Sequence, residues 1–276
     1  MRKVKAIGIS IFMVLVLVIS QLLAWLIGDF FTNNGIYEYI STIIVSFLYP
    51  VFIYFILKIC LEKLCNYNLK DFYIDKPKLK WYWVLVSIML PAIVILSFVI
   101  FIDGKWVLND LSKIETISIL TFGIIYRAIS AGICEEMIFR GAIMGILKEE
   151  FDIKIAIIIP SILFGLVHII GSNLNFSLAM QLLISGTMVG IMFSLIEYES
   201  KNFWNNALVH AMWNMSTVGI ISIGEKIDSD SLITYITNTN SNLITGGKYG
   251  IDIAIFSIIG YFVVSFMAIL LIRRKS

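Results

Sequence analysis

The chain has 276 residues, of which 59% are hydrophobic and only 14% charged, with a net charge of +2. A mean hydropathy of +0.92 excludes an ordinary soluble domain, which needs more charged surface, and so small a net charge argues against nucleic-acid binding. Its three cysteines, Cys60, Cys65 and Cys134, form neither a paired framework nor a zinc-type CxxC spacing. Cys60 and Cys65 flank a lysine-bearing segment and read as reduced thiols on the cytosolic side.

A membrane span needs about 20 mostly apolar residues, and eight candidates follow one another. They cover Ala6 to Ile27, Ile40 to Ile59, Trp81 to Ile102, Ile114 to Leu147, Ile155 to Ile170, Ser177 to Ile196, Phe203 to Ile223 and Ile251 to Ile272. The first follows "MRKVK", a signal-like start. Its apolar run is too long for a signal peptide and lacks a small-residue cleavage site, so it reads as a retained helix. With the amino terminus inside, fifteen of the 21 Lys and Arg residues fall on inner segments, from Arg2 to Lys275. Lys105, Lys113, Lys226 and Lys248 fall outside, and Arg127 and Arg140 lie within the fourth span. That bias predicts an all-α, polytopic transmembrane bundle of about eight spans with both termini cytoplasmic.

Three regions are expected. Residues 1–113 hold three spans and a basic cytoplasmic loop, 114–223 a four-span core, and 224–276 an external polar loop with the last span. The loop, with "TNTNSNLITGG", is expected to be flexible. Pro50, Pro91 and Pro160 fall inside spans, where proline kinks helices. "GAIMG" (141–145) and "GTMVG" (186–190) space small residues four apart, which suits close helix contact.

The fourth span carries the chemistry. "ICEEMIFRG" (133–141) holds three charges, each costing on the order of 3 kcal/mol at a bilayer centre. Neighbours on a helix are separated by about 100°, so Glu135 and Glu136 point differently. Arg140 follows Glu136 by four residues, the favourable order for an ion pair. The spacing thus pairs Glu136 with Arg140 and leaves Glu135 to face the bundle interior, where a desolvated carboxylate suits a general base. An internal salt bridge beside a protonated glutamate would account for this helix alone.

Both histidines of the chain fall in spans. His168 ends "FGLVH", with Phe164 one turn earlier to pack or dry the pocket beneath the imidazole. His210 opens "HAMWN", with Asn214 on the same face. Cys134 points about 100° away from Glu135 and reads as packing. Water is then the natural nucleophile: Glu135 removes its proton, a histidine polarises the target, and Asn214 donates to an oxyanion. Glu135, His168 and His210 would also suit Zn²⁺ with an open position, although the spacing is not HExxH. Counted from the inner span boundaries, Glu135 lies about 18 Å deep, His168 about 20 Å and His210 only about 11 Å. That discordance in depth is unresolved in the sequence.

At these three motifs the sequence resembles the CPBP family of intramembrane proteases (the CAAX protease and bacteriocin-processing, or Abi, family). Its marks are EExxxR, FxxxH and HxxxN, here "EEMIFR" (135–140), "FGLVH" (164–168) and "HAMWN" (210–214). The resemblance covers Phe122 to Val218. It implies that Glu135 activates water, that His168 positions it, and that His210 and Asn214 stabilise the oxyanion, with Glu136 and Arg140 in support. It leaves metal dependence, as Zn²⁺ or none, open. The expected activity is an intramembrane endopeptidase acting on a membrane-associated peptide or protein, with the lipid bilayer as its other partner. The expected location is a bacterial cytoplasmic membrane, and peptide maturation, quorum sensing and bacteriocin immunity are among the family's roles. A non-proteolytic immunity or scaffold protein and a proton-coupled transporter are the competing readings.

Overall fold

The computed structural model describes residues 3–217 and 220–275. Arg2, in the expected inner segment, and Val218 and Gly219, in the expected seventh span, lie outside the described residues. The architecture is nearly all-α. Six helices are long and apolar enough to cross a membrane: α1 (Lys3–Asn33), α2 (Glu38–Cys65), α3 (Trp81–Phe101), α4 (Lys113–Lys148), α6 (Phe176–Ser200) and α8 (Ile255–Arg273). Two shorter helices complete the set, α5 (Ile153–Ile169) and α7 (Trp204–Thr217).

All eight expected segments are therefore helical, but two are not full-length spans. The expected seventh span reached Ile223, whereas α7 has 14 residues, about 21 Å at helical rise against a core of about 30 Å. It is short because the chain turns early at both ends. Residues 221–224 leave as strand β2 (Ile221–Gly224). At the other end, the α6–α7 turn is buried beneath residues 75–80: Asn202 Nδ2 donates to the Lys76 carbonyl at 2.9 Å and Asn205 Nδ2 to that of Lys78 at 3.1 Å.

α4 is the central helix, packed by α1, α2, α5 and α7, while α5 lies along α6, and α6 against α8. Its second half, from Ala131 to Leu147, is almost wholly buried, whereas α1, α2, α3 and α8 turn exposed Leu, Ile, Val and Phe outward. Such an apolar outer surface fits a lipid environment, in which the interior is the only place for polar side chains. α4 is not uniform: wide π-helical turns at Thr121–Ala131 and Met137–Met144 flank one α-helical stretch, Gly132–Glu136. π-turns recur at functional sites. Pro50, Pro91 and Pro160 sit inside α2, α3 and α5.

The small-residue motifs do two different jobs. A Cβ on Gly186 would lie 2.7 Å from Gly165 Cα and one on Gly190 2.8 Å from Ser161 Cα, so this pair brings α5 and α6 into contact. Gly141 and Gly145 instead face Ile74 and Phe72, in the segment between α2 and α3. Gly186→Ala is expected to lower stability by about 1–3 kcal/mol, because backbone must move. Gly8→Ala, with nothing within 4 Å, should shift it by no more than about 0.5 kcal/mol. Thermal unfolding of the two variants in detergent checks the pair, and equal midpoints would refute the close-contact assignment.

The polar segment 220–254 is ordered, contrary to the expectation of a flexible loop. Its strands β2 and β3 (Ile233–Thr237) join β1 (Gly104–Leu108), from the α3–α4 connection, in the order β1-β3-β2. β1 pairs antiparallel with β3, placing Trp106 opposite Tyr235 with rings 4.9 Å apart, and β2 pairs parallel with β3. Gly246 and Gly250, at φ +79° and +83°, make the turns that return the chain to the bundle, a conformation costly for other residues. Gln181 of α6 then holds the returning segment, its Nε2 donating to the carbonyls of Asn242, Leu243 and Ile253 at 3.1, 3.3 and 2.7 Å.

At the opposite end of the bundle, Glu199 gathers donors. Lys80 Nζ, Tyr82 OH and Trp83 Nε1 reach its carboxylate at 3.1, 2.8 and 2.8 Å, and Lys275 joins them. Lys3 lies over the Phe151 ring and Lys5 Nζ donates to the Leu64 carbonyl at 2.7 Å. The three cysteines are free thiols.

Candidate active site

Glu136 and Arg140 are fully buried on α4. Arg140 Nη1 donates to Glu136 Oε1 at 2.9 Å. The same oxygen accepts from His210 Nδ1 at 2.8 Å, and Oε2 accepts from Asn206 Nδ2 at 2.6 Å. Every donor to this carboxylate comes from α4 or α7, so Glu136 fastens the two motif-bearing helices together. The Arg140 guanidinium lies over the Phe164 ring at 4.5 Å and the Phe193 ring at 5.2 Å, which offer π-faces to a desolvated cation.

Glu135 is arranged differently. Its side chain is 20% exposed, and Oε2 stands 3.8 Å from His210 Nε2, beyond direct hydrogen-bond range. It lines a cavity of about 310 Å³ together with Phe164, His168, His210 and Asn214. The structure thus brings together every site residue read from the sequence: five line the cavity or open onto it, and Glu136 and Arg140 lie behind its wall. Cys134 is buried and does not line it.

The depth discordance for His210 disappears here. The α6–α7 turn is sunk into the bundle, with Glu199, Ser200, Asn202 and Asn205 buried, so counting from a membrane surface at Phe203 placed His210 too shallow. α7 begins deep, and fewer than two of its turns suffice to bring His210 beside Glu135.

Hydrogen-bond partners settle the tautomers. His168 Nδ1 lies 2.7 Å from the Phe164 carbonyl, which only accepts, so Nδ1 carries the proton and Nε2 is left with a lone pair toward the cavity. His210 Nδ1 likewise donates to Glu136, an acceptor already committed to Arg140. Donation from His210 Nε2 therefore requires the imidazolium, with Glu136 on one side and Glu135 on the other. The ring is held by stacking on Phe193, centroids 4.6 Å apart and planes 16° off parallel. Asn214 Nδ2 spends one hydrogen on the Arg127 carbonyl at 3.0 Å and keeps a second to donate.

Imidazole and carboxylate donors suit Zn²⁺, and the Nδ1 bonds of both histidines are of the kind that orient metal ligands. Among the described residues, however, no three His, Cys, Asp or Glu side chains gather closely enough to hold an ion. We derive no step through a metal.

Several residues of the site were not read from the sequence. Asn206 sits one turn before His210 on the same face of α7, a signal that was available. Phe193, a lone aromatic on α6, carried none. Asp252, in the ordered connection before α8, also lines the cavity. Its Oδ1 accepts from Trp213 Nε1 at 2.7 Å and Thr217 Oγ1 at 3.2 Å, and its carbonyl from Ser185 Oγ at 2.7 Å. Desolvation raises the Asp252 carboxyl above the ordinary aspartate range, against the opposing hydrogen bonds of Trp213 and Thr217. The sequence reading places this aspartate at the start of the eighth span, whereas the helix begins at Ile255 and Asp252 lies in the turn before it.

Residues 116–216 match the family described as type II CAAX prenyl endopeptidase Rce1-like. That agrees with the family read from EExxxR, FxxxH and HxxxN, and the matched segment contains all three motifs. Over 123 residues the chain is also 28% identical to the protein named "Putative membrane peptidase YdiL" of Bacillus subtilis (strain 168), covering 45% of this chain and 47% of that protein. The chain thus spans about half the length of this curated relative. No solved structure matches significantly. The matched segment runs from α4 to α7, and the ordered segment bearing Asp252 lies outside it.

Proposed function

We propose that this protein is an intramembrane endopeptidase of the CPBP type, hydrolysing a peptide bond of a membrane-associated peptide or protein with water activated by Glu135. The reading is carried by one observation: Glu135, the one member of the Glu pair not consumed by structure, faces His210 Nε2 across 3.8 Å in a cavity it shares with His168 and Asn214.

In this reading the His168 Nε2 lone pair accepts one hydrogen of the water and orients it, while Glu135 takes the other as oxygen attacks the carbonyl carbon. The oxyanion receives hydrogen bonds from His210 Nε2–H and from the second hydrogen of Asn214 Nδ2. Collapse breaks the C–N bond, and Glu135 returns its proton to the departing amine. Glu136, pinned by Arg140 and Asn206, holds the His210 ring in position. The Lys and Arg bias supports placing both termini in the cytoplasm, and the bacterial relative supports a bacterial cytoplasmic membrane.

Hydrolysis in water enriched in ¹⁸O tests the reaction directly. One heavy oxygen is expected in the new carboxylate of each N-terminal product and none in the C-terminal product, read by mass spectrometry after incubation with a peptide library in nanodiscs. No cleavage of any peptide would favour a non-proteolytic immunity or scaffold role. Chelators are expected to leave activity intact. Loss restored by Zn²⁺ would instead make His168, His210 and Glu135 metal ligands.

A further inference from the structure

The catalytic cavity does not end at the motif residues. It meets a second space of about 930 Å³ beneath the ordered cap, and the two share Arg127, Tyr249 and Asp252 in their walls. Arg127 is the one Lys or Arg among the described residues lining the inner cavity. Among those residues no carboxylate stands within ion-pair distance of its guanidinium, which lies over the Phe122 ring at 5.7 Å and acts on Asp252 only through its longer-range field. An arginine within a membrane helix is costly, and such residues mark substrate paths when they face a water-filled cavity.

Its placement is fixed from the catalytic side. The Asn214 amide donates to the Arg127 carbonyl, and the preceding Tyr126 OH accepts from Gln21 Nε2 and Trp25 Nε1, both at 2.7 Å. The Arg127 main chain is thus tied to Asn214, and its side chain is an exposed cation in the wall of the same cavity. The nearest acidic candidate, Asp252, has Oδ1 occupied by Trp213 and Thr217. Charges elsewhere on the outer space are mixed, Glu225, Asp228 and Asp230 offsetting Lys226 and Lys248.

We propose that Arg127 reads the substrate: its guanidinium binds a carboxylate of the peptide lying across the cavity, either the chain's own terminus or an acidic side chain. The planar fork of arginine matches a carboxylate in two parallel hydrogen bonds, which a lysine cannot reproduce. The assignment rests on the peptidase reading and makes that enzyme selective for anionic peptides.

The test reads binding in the Glu135→Gln background, by anisotropy of fluorescein-labelled decapeptide mixtures in zwitterionic nanodiscs. Four mixtures are compared: free acids, C-terminal amides, and amides carrying one scanned Asp or the matching Asn. Either the acid or the Asp-bearing set is expected to bind about tenfold more tightly than its neutral counterpart, roughly one charge-assisted pair. Which set does so identifies the source of the carboxylate. Adding Arg127→Gln should erase the difference, and Arg127→Lys should keep part of it. The Asn214 contact survives both changes because it is made to the main chain. An undiminished preference after Arg127→Gln, or none with Arg127 in place, overturns the proposal. So does an effect of Arg127→Gln that appears only as altered dependence on anionic lipid, which would assign the guanidinium to lipid phosphates. Because binding is read without Glu135, failure of the native chain to cleave any peptide would overturn the peptidase reading and leave the anion site standing or falling on its own result.

Discussion

Glu135→Gln is expected to reduce peptide cleavage by about 10²–10⁴-fold, the range a positioned general base contributes, while the protein keeps its native thermal midpoint. The two halves of that expectation come from the same geometry. Among the described residues the ion-pair contact of Glu135 is with His210 at 3.8 Å, and its side chain is partly exposed, so an isosteric amide breaks no direct hydrogen bond there. Glu136 is its opposite. Glu136→Gln would turn an amide hydrogen toward Arg140, His210 or Asn206, all donors to the native carboxylate, and should cost folded yield before activity can be assayed. Kinetics on a fluorogenic peptide, with melting curves of both variants, separate the two glutamates. Full activity in Glu135→Gln would end the mechanism proposed for this site.

The second large effect concerns Arg140. Removing one partner of a buried ion pair leaves the other charge uncompensated, at about 3–5 kcal/mol, and both side chains here are fully buried. Arg140→Met is therefore expected to lower the thermal midpoint steeply and to reduce monodisperse protein on size exclusion. Glu136→Gln with Arg140→Met should be less destabilised than the sum of the two single changes, by about 1–3 kcal/mol of coupling. The pair is not fully satisfied: among the described residues Arg140 Nε and Nη2 find no hydrogen-bond partner. Aromatic rings fill that side of the guanidinium, so Phe164 couples the cation to the His168 helix as well as packing it. A stable Arg140→Met protein would show that the guanidinium contributes little to holding α4 against α7.

Much of this was legible in local spacing. Helical periodicity separated Glu136 from Glu135, because four residues bring a cation alongside one and not the other. The placement of both histidines in apolar segments marked the helices that converge. Depth was not legible, because it depends on how far the α6–α7 turn sinks, and that turn is held by Asn202 and Asn205 against backbone more than 120 residues earlier. Asp252 and Arg127 were equally hidden as site residues. One lies at the edge of an apolar run that reads as the last span, and the other is a single arginine without a spaced partner. Hydropathy likewise could not show that "ITYIT" near the outer end pairs with "GKWVL" after the third helix, since strand partners leave no mark on each other's local pattern.

That pairing also sets an order of assembly. β1 is synthesised before any of the motif residues and β3 after all of them, so the sheet over the cavity cannot close until the ribosome has passed Thr237. Until then a nascent chain could hold the Glu135 helix and both histidine helices without a roof. A chain built this way completes its motif helices first and ties the α3–α4 connection to the segment after α7 only later.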